Sequence, residues 1–517
     1  MTIANHPEMN SYGIRKIMKL AFNILHSSSF KLCPYLWSLT YLDKKMQTLT
    51  QNTGLYTDFY ELTMAQAYFY SGKQKETSTF DYFFRTNPYK GGYVVFAGLQ
   101  DLLSILSKFS YNEENLVFLK QAGLKDEFLN YLREFRFKGK IYSMKEGEIA
   151  FPNEPIIRVE GNMIECLLIE TMLLNYLNFQ SLIATKACRI RSVIGEKTFA
   201  DFGLRRAQGL GGIHASRAAI IGGANSTSNV YAAFNYGIPV SGTQAHAWVQ
   251  SFEKEIDAFR QYAEINPDTT VLLVDTYNTL KSGIPNAILI AKELETKGHK
   301  LVGIRLDSGD LAYLSKKGRK MLDDADLAYV QIFASNQLNE YVIKSLNEQG
   351  ACIDGYGVGT ELVTGNDTGA LDGVYKLVEN NDTPCLKVSE NVEKMTLPGR
   401  KKVVRYFDQD GKFFRDAILL TEEENTDKIY HPFHSHKTTE LKHCTAEVLN
   451  KLVMNNGQIL IEEQSPSEIN AYLKKRFAQL PDEHKRFISP HIYKVGVSEK
   501  VLKLKNEMLK GIHNKMN

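Results

Sequence analysis

The sequence has few of the residues that mark secreted or nucleic-acid-binding proteins. Only 6 of its 517 residues are cysteine, and their scattered spacing argues against a disulfide framework and favours a reducing compartment, the cytoplasm. The 62 basic and 59 acidic residues leave a net charge of +3, which gives no global reason to bind nucleic acid or a membrane surface. No apolar run approaches the roughly 18 residues of a membrane-spanning helix. We therefore expect a cytoplasmic protein whose anion binding, if any, is local.

The first 48 residues differ from the rest. They are basic, and their apolar groups are interrupted too soon for a secretory signal. We interpret residues 1–48 as an N-terminal extension that is disordered or not translated, with Met46 as the working start. A weak amphipathic membrane or transit segment is the alternative.

Six short apolar runs each end in residues that suit a polar ligand. Buried parallel strands look like such runs, and α/β folds bind ligands at the carboxyl ends of their strands. These ends therefore indicate the rim of an active site. The six segments are KTFADFGLRRAQG (197–209), GIPVSGTQAHAW (237–248), VLLVDTYN (271–278), LVGIRLDSGD (301–310), VQIFASNQ (330–337) and CIDGYGVGT (352–360).

The spacing of these runs predicts the fold class. Helical patterns separate the strand ends, and this many βα units in succession indicate an irregular, TIM-like α/β barrel over residues 191–380. A doubly wound open sheet is the alternative, weakened by the missing G-x-G-x-x-G signature. We expect an α/β N-terminal domain at 49–190. We also expect a smaller C-terminal region at 381–517, packed on the N-terminal domain, with a hairpin turning at Asp410-Gly411 and a helix at 466–479.

Charged and aromatic residues at the strand ends supply the chemistry. Arg205 follows Phe202 at the first end, and a guanidinium suits a planar carboxylate or a phosphate while phenylalanine can stack on a ring. His246 stands on the same rim as a candidate acid, base or phosphate acceptor. Asp275 and Asp307 suit ribose hydroxyls, Mg²⁺ or a developing positive charge.

Other motifs allow weaker predictions. Asp310 is a helix N-cap, and the glycines of Gly355–Thr360 can form a turn or a phosphate cup. The HPFHSH stretch (431–436) invites a zinc interpretation, but Pro432 and the lack of a cysteine or carboxylate partner favour a surface loop. The basic run at 399–402 predicts a solvated turn or a strand edge.

Together, the motifs resemble those of nicotinate phosphoribosyltransferases. The resemblance runs in order over about residues 50–380 and returns near the C-terminus. It implies a type II phosphoribosyltransferase that joins nicotinate to phosphoribosyl pyrophosphate, giving nicotinate mononucleotide and pyrophosphate in NAD salvage. It also implies Mg²⁺, ATP as co-substrate through a phosphohistidine, and a homodimer with shared active sites. The matching segments are YTDFYELTM (56–64), FDYFFR (80–85), DFGLRRAQG (201–209), GTQAHAW (242–248), IRLDSGDL (304–311), GVGT (357–360) and PHIYKV (490–495).

The resemblance assigns roles residue by residue. Tyr60 and Phe202 are expected to sandwich the pyridine ring, and Arg205 to hold its carboxylate. His246 is the expected phosphohistidine, while Asp275 and Asp307 face the ribose and its Mg²⁺-pyrophosphate. The remaining expected substrate-binding residues are Arg305, Ser308, Gly309, Asn336, Gly357, Gly359 and Thr360.

Three other functions stay open at this point. A nicotinamide phosphoribosyltransferase would share the fold and the phosphate sites. A non-catalytic barrel would serve as a binding protein, and a barrel aldolase would need a strand-end lysine that none of the six ends offers. The role of Asn225, which stands where the resemblance suggests an acid, is also left open.

Overall fold

The computed structural model describes residues 52–389 and 395–516 of the chain. The predicted extension, residues 1–48, lies outside the described residues. From Gly54 onward the chain forms one compact unit. The predicted boundaries near residues 190 and 380 therefore stay predictions about sequence regions within it.

The first region combines short helices with antiparallel strands. Its helices carry one apolar face each, and Asn112 begins one of them with a side-chain cap to the backbone of Asn115. The elements are α1 (Phe59–Tyr70), β1 (Thr77–Phe84), β2 (Val94–Val95), α2 (Leu99–Leu106), α3 (Glu113–Gln121), α4 (Asp126–Arg133), β3 (Lys140–Ser143), β4 (Ile149–Ala150) and β5 (Ile157–Asn162).

The middle region alternates strands and helices, as the sequence predicts. Its strands are short and mostly buried, because helices cover them. The elements are α5 (Met163–Leu167), α6 (Glu170–Ile194), β6 (Thr198–Asp201), α7 (Gly211–Gly222), β7 (Ser226–Thr227), α8 (Val230–Tyr236), α9 (His246–Gln250), α10 (Glu255–Ile265), β8 (Val271–Leu273), α11 (Ile284–Thr296), β9 (Gly303–Leu306), α12 (Leu311–Asp324), β10 (Gln331–Ser335), α13 (Glu340–Glu348), β11 (Gly355–Val358) and α14 (Thr360–Val363).

The last region is mainly antiparallel sheet. The hairpin at Asp410-Gly411 and the helix at 466–479 are confirmed, the helix by a Ser465 cap with Pro466 at its first position. The elements are β12 (Gly373–Asn380), β13 (Thr383–Pro384), β14 (Lys401–Phe407), β15 (Phe413–Leu420), β16 (Lys428–Tyr430), β17 (Thr438–Glu440), β18 (Thr445–Val448), β19 (Lys451–Asn455), β20 (Gln458–Ile459), α15 (Pro466–Gln479), α16 (Asp482–Lys485), β21 (Val495–Val497) and α17 (Glu499–Met516).

Six parallel strands form the sheet that carries the predicted rim. Their order is β7-β6-β11-β10-β9-β8, so the first predicted strand pairs with the last, as in a barrel. The ladder extends beyond β7 only by a bridge from Thr227 to Val240, and in the described residues no pairing joins Val240 to β8. The α/β prediction is confirmed, and the sheet seen is a half-barrel.

Five of the six predicted strands belong to this sheet. The segment 237–248 gives the single bridge at Val240 instead of a strand, and its place is taken by Ser226-Thr227, which the sequence did not predict as a strand. Asn225, just before that strand, accepts hydrogen bonds from the backbone N–H of Phe199 at 2.9 Å and from Arg191 at 2.6 Å. Asn225 therefore lies at the amino ends of the strands, away from the rim.

The other large sheets join distant parts of the chain. A seven-stranded sheet has the order β13-β12-β1-β5-β3-β19-β20, so strands from the last region extend a sheet of the first. A six-stranded sheet, β17-β16-β21-β15-β14-β18, contains strands of the last region only. The basic run at 399–402 enters β14, where Lys401 and Lys402 pair with β15, and Lys401 is buried against Asp81 at 3.0 Å. The predicted solvated position is wrong for Lys401, because a buried carboxylate pairs with the lysine.

One helical stretch is more apolar than the lengths of the apolar runs in the sequence indicated. Met163–Ile194, which spans α5 and α6, is long and apolar enough to cross a membrane by length and composition. In the structure, 67% of its apolar window is buried inside the protein. Its hydrophobicity is explained by packing, since Leu173, Leu177 and Ile183 are fully buried core residues.

Candidate active site

At the end of β6, Phe202 is the residue available to the site, whereas the preceding acid, Asp201, is not. Asp201 is fully buried, and its carboxylate accepts hydrogen bonds from the N–H of Gly203 and from the hydroxyls of Ser216 and Thr227. Burial is the main cause that raises the pKa of Asp201. Asp201 therefore fixes the turn, and the residues after it reach the site.

The ring of Phe202 lies against the backbone of Gly357. A Cβ added at Gly357 would overlap this ring, and the N–H of Phe202 donates to the carbonyl of Val358 at 2.9 Å. A Cβ at Gly359 would lie 3.2 Å from the carbonyl oxygen of Phe202. Gly357 is therefore required by the ring. The predicted phosphate cup at Gly357 and Gly359 stays a prediction.

Two arginines of the predicted site influence each other electrostatically. Arg205 is exposed in the short helix that follows Phe202, and Arg305 is half-buried near the end of β9. Burial lowers the pKa of Arg305 and the charge of Arg205 lowers it further, while Asp307 and Asp275 act in the opposite direction. Arg305 also donates to the hydroxyl of Thr243. These interactions bring four predicted site residues into one electrostatic neighbourhood.

The two carboxylates are joined through the turn after β9. Asp275 Oδ2 accepts from the backbone N–H of Asp307 at 2.8 Å and from the hydroxyl of Ser308 at 2.6 Å. The hydroxyl of Ser335 donates to Asp307 Oδ1. Asp275 Oδ1 is buried and has no hydrogen-bond partner. Each carboxylate is thus oriented through one oxygen and keeps the other for a ligand.

His246 completes this cluster. It is the first residue of α9, its Nδ1 lies 3.1 Å from the Thr276 hydroxyl, and its Nε2 lies 3.8 Å from Asp307 Oδ2. The side chains of His246 and Asp307 are 40% and 32% exposed, so both are accessible to a ligand. The structure therefore brings His246, Asp275, Asp307, Arg305 and Ser308 together.

In the turn Ser308-Gly309-Asp310, one residue serves the site and another caps the following helix. Gly309 has φ +77°, a left-handed conformation that favours glycine. Asp310 accepts from the N–H of Tyr313 at 2.9 Å and caps α12, as predicted. The turn points Ser308 at Asp275 while Asp310 serves the helix.

Three predicted substrate residues lie outside the bonded cluster. Asn336 follows β10 with φ +84° and Thr360 begins α14, both exposed at strand ends, and in the described residues no side-chain hydrogen bond joins either to His246, Asp275 or Asp307. Tyr60 is half-exposed on α1 and lines a separate cavity of about 350 Å³ with residues of α6 and 369–371. Burial and the nearby Glu170 raise the pKa of Tyr60. Within 52–389 and 395–516 no ring contact joins Tyr60 to Phe202, so their ring sandwich stays a prediction.

Sequence reasoning missed three hydroxyl residues. Thr243 contacts Arg305, Thr276 contacts His246, and Ser335 contacts Asp307. Each is at a predicted strand end, and Thr276 and Ser335 are chain neighbours of the predicted Asp275 and Asn336. A hydroxyl residue within the polar strand end was the available signal in each case.

Two carboxylate oxygens of the cluster can supply part of the ligand set of the expected Mg²⁺, and other ligands must supply the rest. Asp275 Oδ1 and Asp307 Oδ2 are hard oxygen donors, and Mg²⁺ commonly binds one or two carboxylates together with substrate phosphates. No group of three or more metal-ligating side chains occurs among the residues that the structure describes. At the HPFHSH stretch, His431 Nδ1 accepts from the backbone N–H groups of Phe433 and His434, so this nitrogen serves the turn.

Family models and curated relatives match most of the chain. Models described as the nicotinate phosphoribosyltransferase N-terminal domain, family and C-terminal domain match residues 55–178, 198–420 and 400–505. The nicotinate phosphoribosyltransferase of Bacillus subtilis (strain 168) is 43% identical, covering 86% of this chain and 93% of the relative. The human relative of the same name is 32% identical over 88% of this chain and 97% of its own length.

The chain belongs to the nicotinate phosphoribosyltransferase family. The crystal structure of human nicotinic acid phosphoribosyltransferase is similar with a TM-score of 0.79 and 30% identity, covering 87% of this chain and 99% of that one. The nicotinate-nucleotide pyrophosphorylase of Pyrococcus furiosus has a TM-score of 0.65 at 22% identity, covering 87% of this chain and 98% of its own, and bears on the fold alone.

Proposed function

We propose that this chain joins nicotinate to phosphoribosyl pyrophosphate, giving nicotinate mononucleotide and pyrophosphate in NAD salvage. The ring nitrogen of nicotinate forms a bond to C1 of the ribose as the bond from C1 to the pyrophosphate oxygen breaks. The observation that carries the proposal is the convergence of Asp275, Asp307, His246 and Arg305 at one strand-end edge in a chain of this family.

The carboxylates supply the stabilisation that the sugar needs. Positive charge develops on the ribose as pyrophosphate departs, and fixed negative groups lower the energy of that state. Asp275 Oδ1 has no hydrogen-bond partner, and Asp307 Oδ2 lies 3.8 Å from His246 Nε2 on a side chain that is 32% exposed. These two oxygens are the ones available to the sugar.

The arginines and the aromatic ring supply recognition of the substrate anions. Arg205 is exposed and its guanidinium can hold the planar carboxylate of nicotinate through two parallel hydrogen bonds. Phe202, held flat by Gly357, offers a face on which the pyridine ring stacks. Arg305 helps to hold the pyridine ring or the sugar in place.

ATP coupling and the metal complete the proposed reaction. We propose that His246 accepts the γ-phosphoryl group of ATP during turnover. Asp275 and Asp307 would hold Mg²⁺ together with the pyrophosphate, and the metal would neutralise charge on the leaving group. The protein's own residues meanwhile orient the sugar and the ring.

The remaining parts of the proposal concern the site rim and the assembly. We propose that Ser308, Gly309, Asn336, Gly357, Gly359 and Thr360 bind the ribose and its phosphates. We propose a cytoplasmic homodimer in which Tyr60 serves a shared active site, and a TIM-like barrel closed across its seam by the Thr243–Arg305 and His246–Thr276 contacts.

One assay tests the proposed function. Pyrophosphate release from phosphoribosyl pyrophosphate is measured with nicotinate and with nicotinamide, each with and without ATP. We expect nicotinate to be the preferred substrate and ATP to increase turnover. A preference for nicotinamide would mean that the amide, and not the acid, is the substrate. No release of pyrophosphate with either pyridine would refute the proposed transferase activity.

A further inference from the structure

The two nitrogens of His246 face different partners. Nδ1 lies 3.1 Å from the hydroxyl of Thr276, which follows Asp275 directly after β8. Nε2 lies 3.8 Å from Asp307 Oδ2. A neutral imidazole has one N–H and one lone pair, so these two partners decide which nitrogen carries the proton.

The orientation of Asp307 favours one tautomer. Ser335 donates to Asp307 Oδ1, and the backbone N–H of Asp307 donates to Asp275 Oδ2 at 2.8 Å, which turns Asp307 Oδ2 toward the imidazole. A carboxylate accepts and cannot donate, so it attracts an N–H at Nε2. The lone pair of His246 is then on Nδ1, where the hydroxyl of Thr276 donates to it.

We propose that Thr276 is a positioning residue for His246, and that its hydroxyl holds the imidazole with Nδ1 unprotonated and Nε2–H directed at Asp307. This inference rests on the proposed function, in which His246 accepts a phosphoryl group. The inference adds Thr276 to the site as an uncharged residue whose hydroxyl selects the tautomer of His246 and fixes the plane of its ring.

The chemistry of the step explains why a hydroxyl is suited to this position. The lone pair of the unprotonated nitrogen forms the bond to the γ-phosphorus as the bond from that phosphorus to the β,γ-bridging oxygen breaks. ADP leaves with the electron pair of that bond, and the proton on Nε2 stays in place beside Asp307. The Thr276 hydroxyl is released from the lone pair and can donate to a phosphoryl oxygen, because a hydroxyl rotates freely.

Phosphate labelling of His246 tests this role with matched variants. Thr276→Val removes the hydroxyl at nearly constant volume, Thr276→Ser keeps it, and Thr276→Ala is a second variant without it. Thr270→Val is the control, since Thr270 precedes the same strand and its hydroxyl donates to the backbone of Asn266. With γ-labelled ATP we expect both hydroxyl-free variants to be labelled at a rate that is lower than the native rate by a factor of roughly ten or more. Thr276→Ser should stay within about threefold of the native rate and Thr270→Val should match it.

Two labelling results would overturn the proposal. One is native-rate labelling in Thr276→Val or Thr276→Ala. The other is a Thr276→Ser variant that labels as slowly as Thr276→Val, because the hydroxyl would then not be the active group.

A direct reading of the tautomer separates this inference from the proposed function. In protein labelled with ¹⁵N-histidine, the His246 signals are assigned by comparison with His246→Asn. We expect a protonated Nε2 and an unprotonated Nδ1 in the native chain, and a mixture of tautomers in Thr276→Val. A protonated Nδ1 in the native chain, or an unchanged spectrum in the variant, would contradict the role of Thr276. If ATP fails to label the native chain, the ATP part of the proposed function fails, and this spectrum still decides about Thr276.

Discussion

Charged residues serve opposite purposes at the strand-end site and at the buried seam between the first and last regions. At the seam, Arg405 contacts Glu148 at 2.5 Å and Asp416 at 2.6 Å, and Arg405 and Asp416 are both 0% exposed. Arg476 also contacts Glu148 at 2.8 Å. At the site, His246 and Asp307 are partly exposed and separated by 3.8 Å.

The difference lies in which hydrogen-bonding atoms remain available. At the seam, Arg405 is paired by two carboxylates and by the carbonyl of Ile149, so little of its charge is left for a ligand. At the site, hydroxyls and the backbone N–H of Asp307 donate to the carboxylates, and the ion pair between His246 and Asp307 is longer, at 3.8 Å. Paired charge fixes the architecture, and charge oriented by neutral groups is ready for substrate.

The largest expected effect comes from breaking the seam. Arg405→Met removes a buried cation and leaves the buried carboxylate of Asp416 without the arginine that pairs with it, so we expect a loss of about 3–5 kcal/mol in the free energy of unfolding. Thermal and urea unfolding measure it. A loss below about 1 kcal/mol would show that the seam charges do not hold the regions together.

The same substitution at the site should act on catalysis. Arg205→Met removes an exposed cation, so we expect stability within about 0.5 kcal/mol of the native chain. We expect kcat/KM for nicotinate to fall by about two orders of magnitude or more, and Asp275→Asn to do the same. Steady-state kinetics measure both variants, and a loss under about threefold in both would contradict these roles.

A smaller effect is expected where the site uses shape. Gly357→Ala places a methyl group against the Phe202 ring, which must shift. Overpacking of this kind costs about 1–3 kcal/mol, so we expect KM for nicotinate to rise roughly tenfold. Gly511→Ala is the control, because a Cβ there meets open space. An unchanged KM in Gly357→Ala would mean that ring stacking does not depend on this contact.

The smallest effect concerns the pH dependence of the seam. Burial and the nearby Asp416 raise the pKa of Glu154 well above its ordinary value. The folded chain therefore keeps a proton that the unfolded chain has lost, so this group makes stability fall as pH rises from the unfolded pKa toward the folded one. Glu154→Gln removes the titration, and urea unfolding at several pH values should show a flatter decline. An identical slope in the two proteins would rule out Glu154 as its source.

Local signals in the sequence predicted much of the fold. Asp310 caps its helix, Ser465 and Pro466 begin theirs, and the hairpin turns at Gly411, because capping and turn formation depend on residues a few positions apart. Five strand ends were found from short apolar runs. Ser226-Thr227 was missed because two polar residues carry no such pattern, and this strand is formed by its pairing with β6 and its bridge to Val240.

The rest depended on contacts between distant residues. Lys401 is in a basic run, and nothing near it in the sequence shows that Asp81 would be its buried partner. Asp201 stands at a predicted strand end, yet hydrogen bonds from Ser216 and Thr227 hold its carboxylate in the core. The predicted His246, Asp275 and Asp307 do meet, but the hydroxyls that orient them became visible only once the strands were placed side by side.

A double-mutant cycle between Arg205→Met and Asp275→Asn tests most directly whether separate strand ends form one reaction site. The quantity measured is kcat/KM for nicotinate in the pyrophosphate-release assay for the native chain, both single variants and the double variant. Residues that act as one unit in catalysis have strongly non-additive effects, so we expect the double variant to be little worse than the poorer single variant. Losses that multiply fully would show that Arg205 and Asp275 act independently, and would contradict the single pocket.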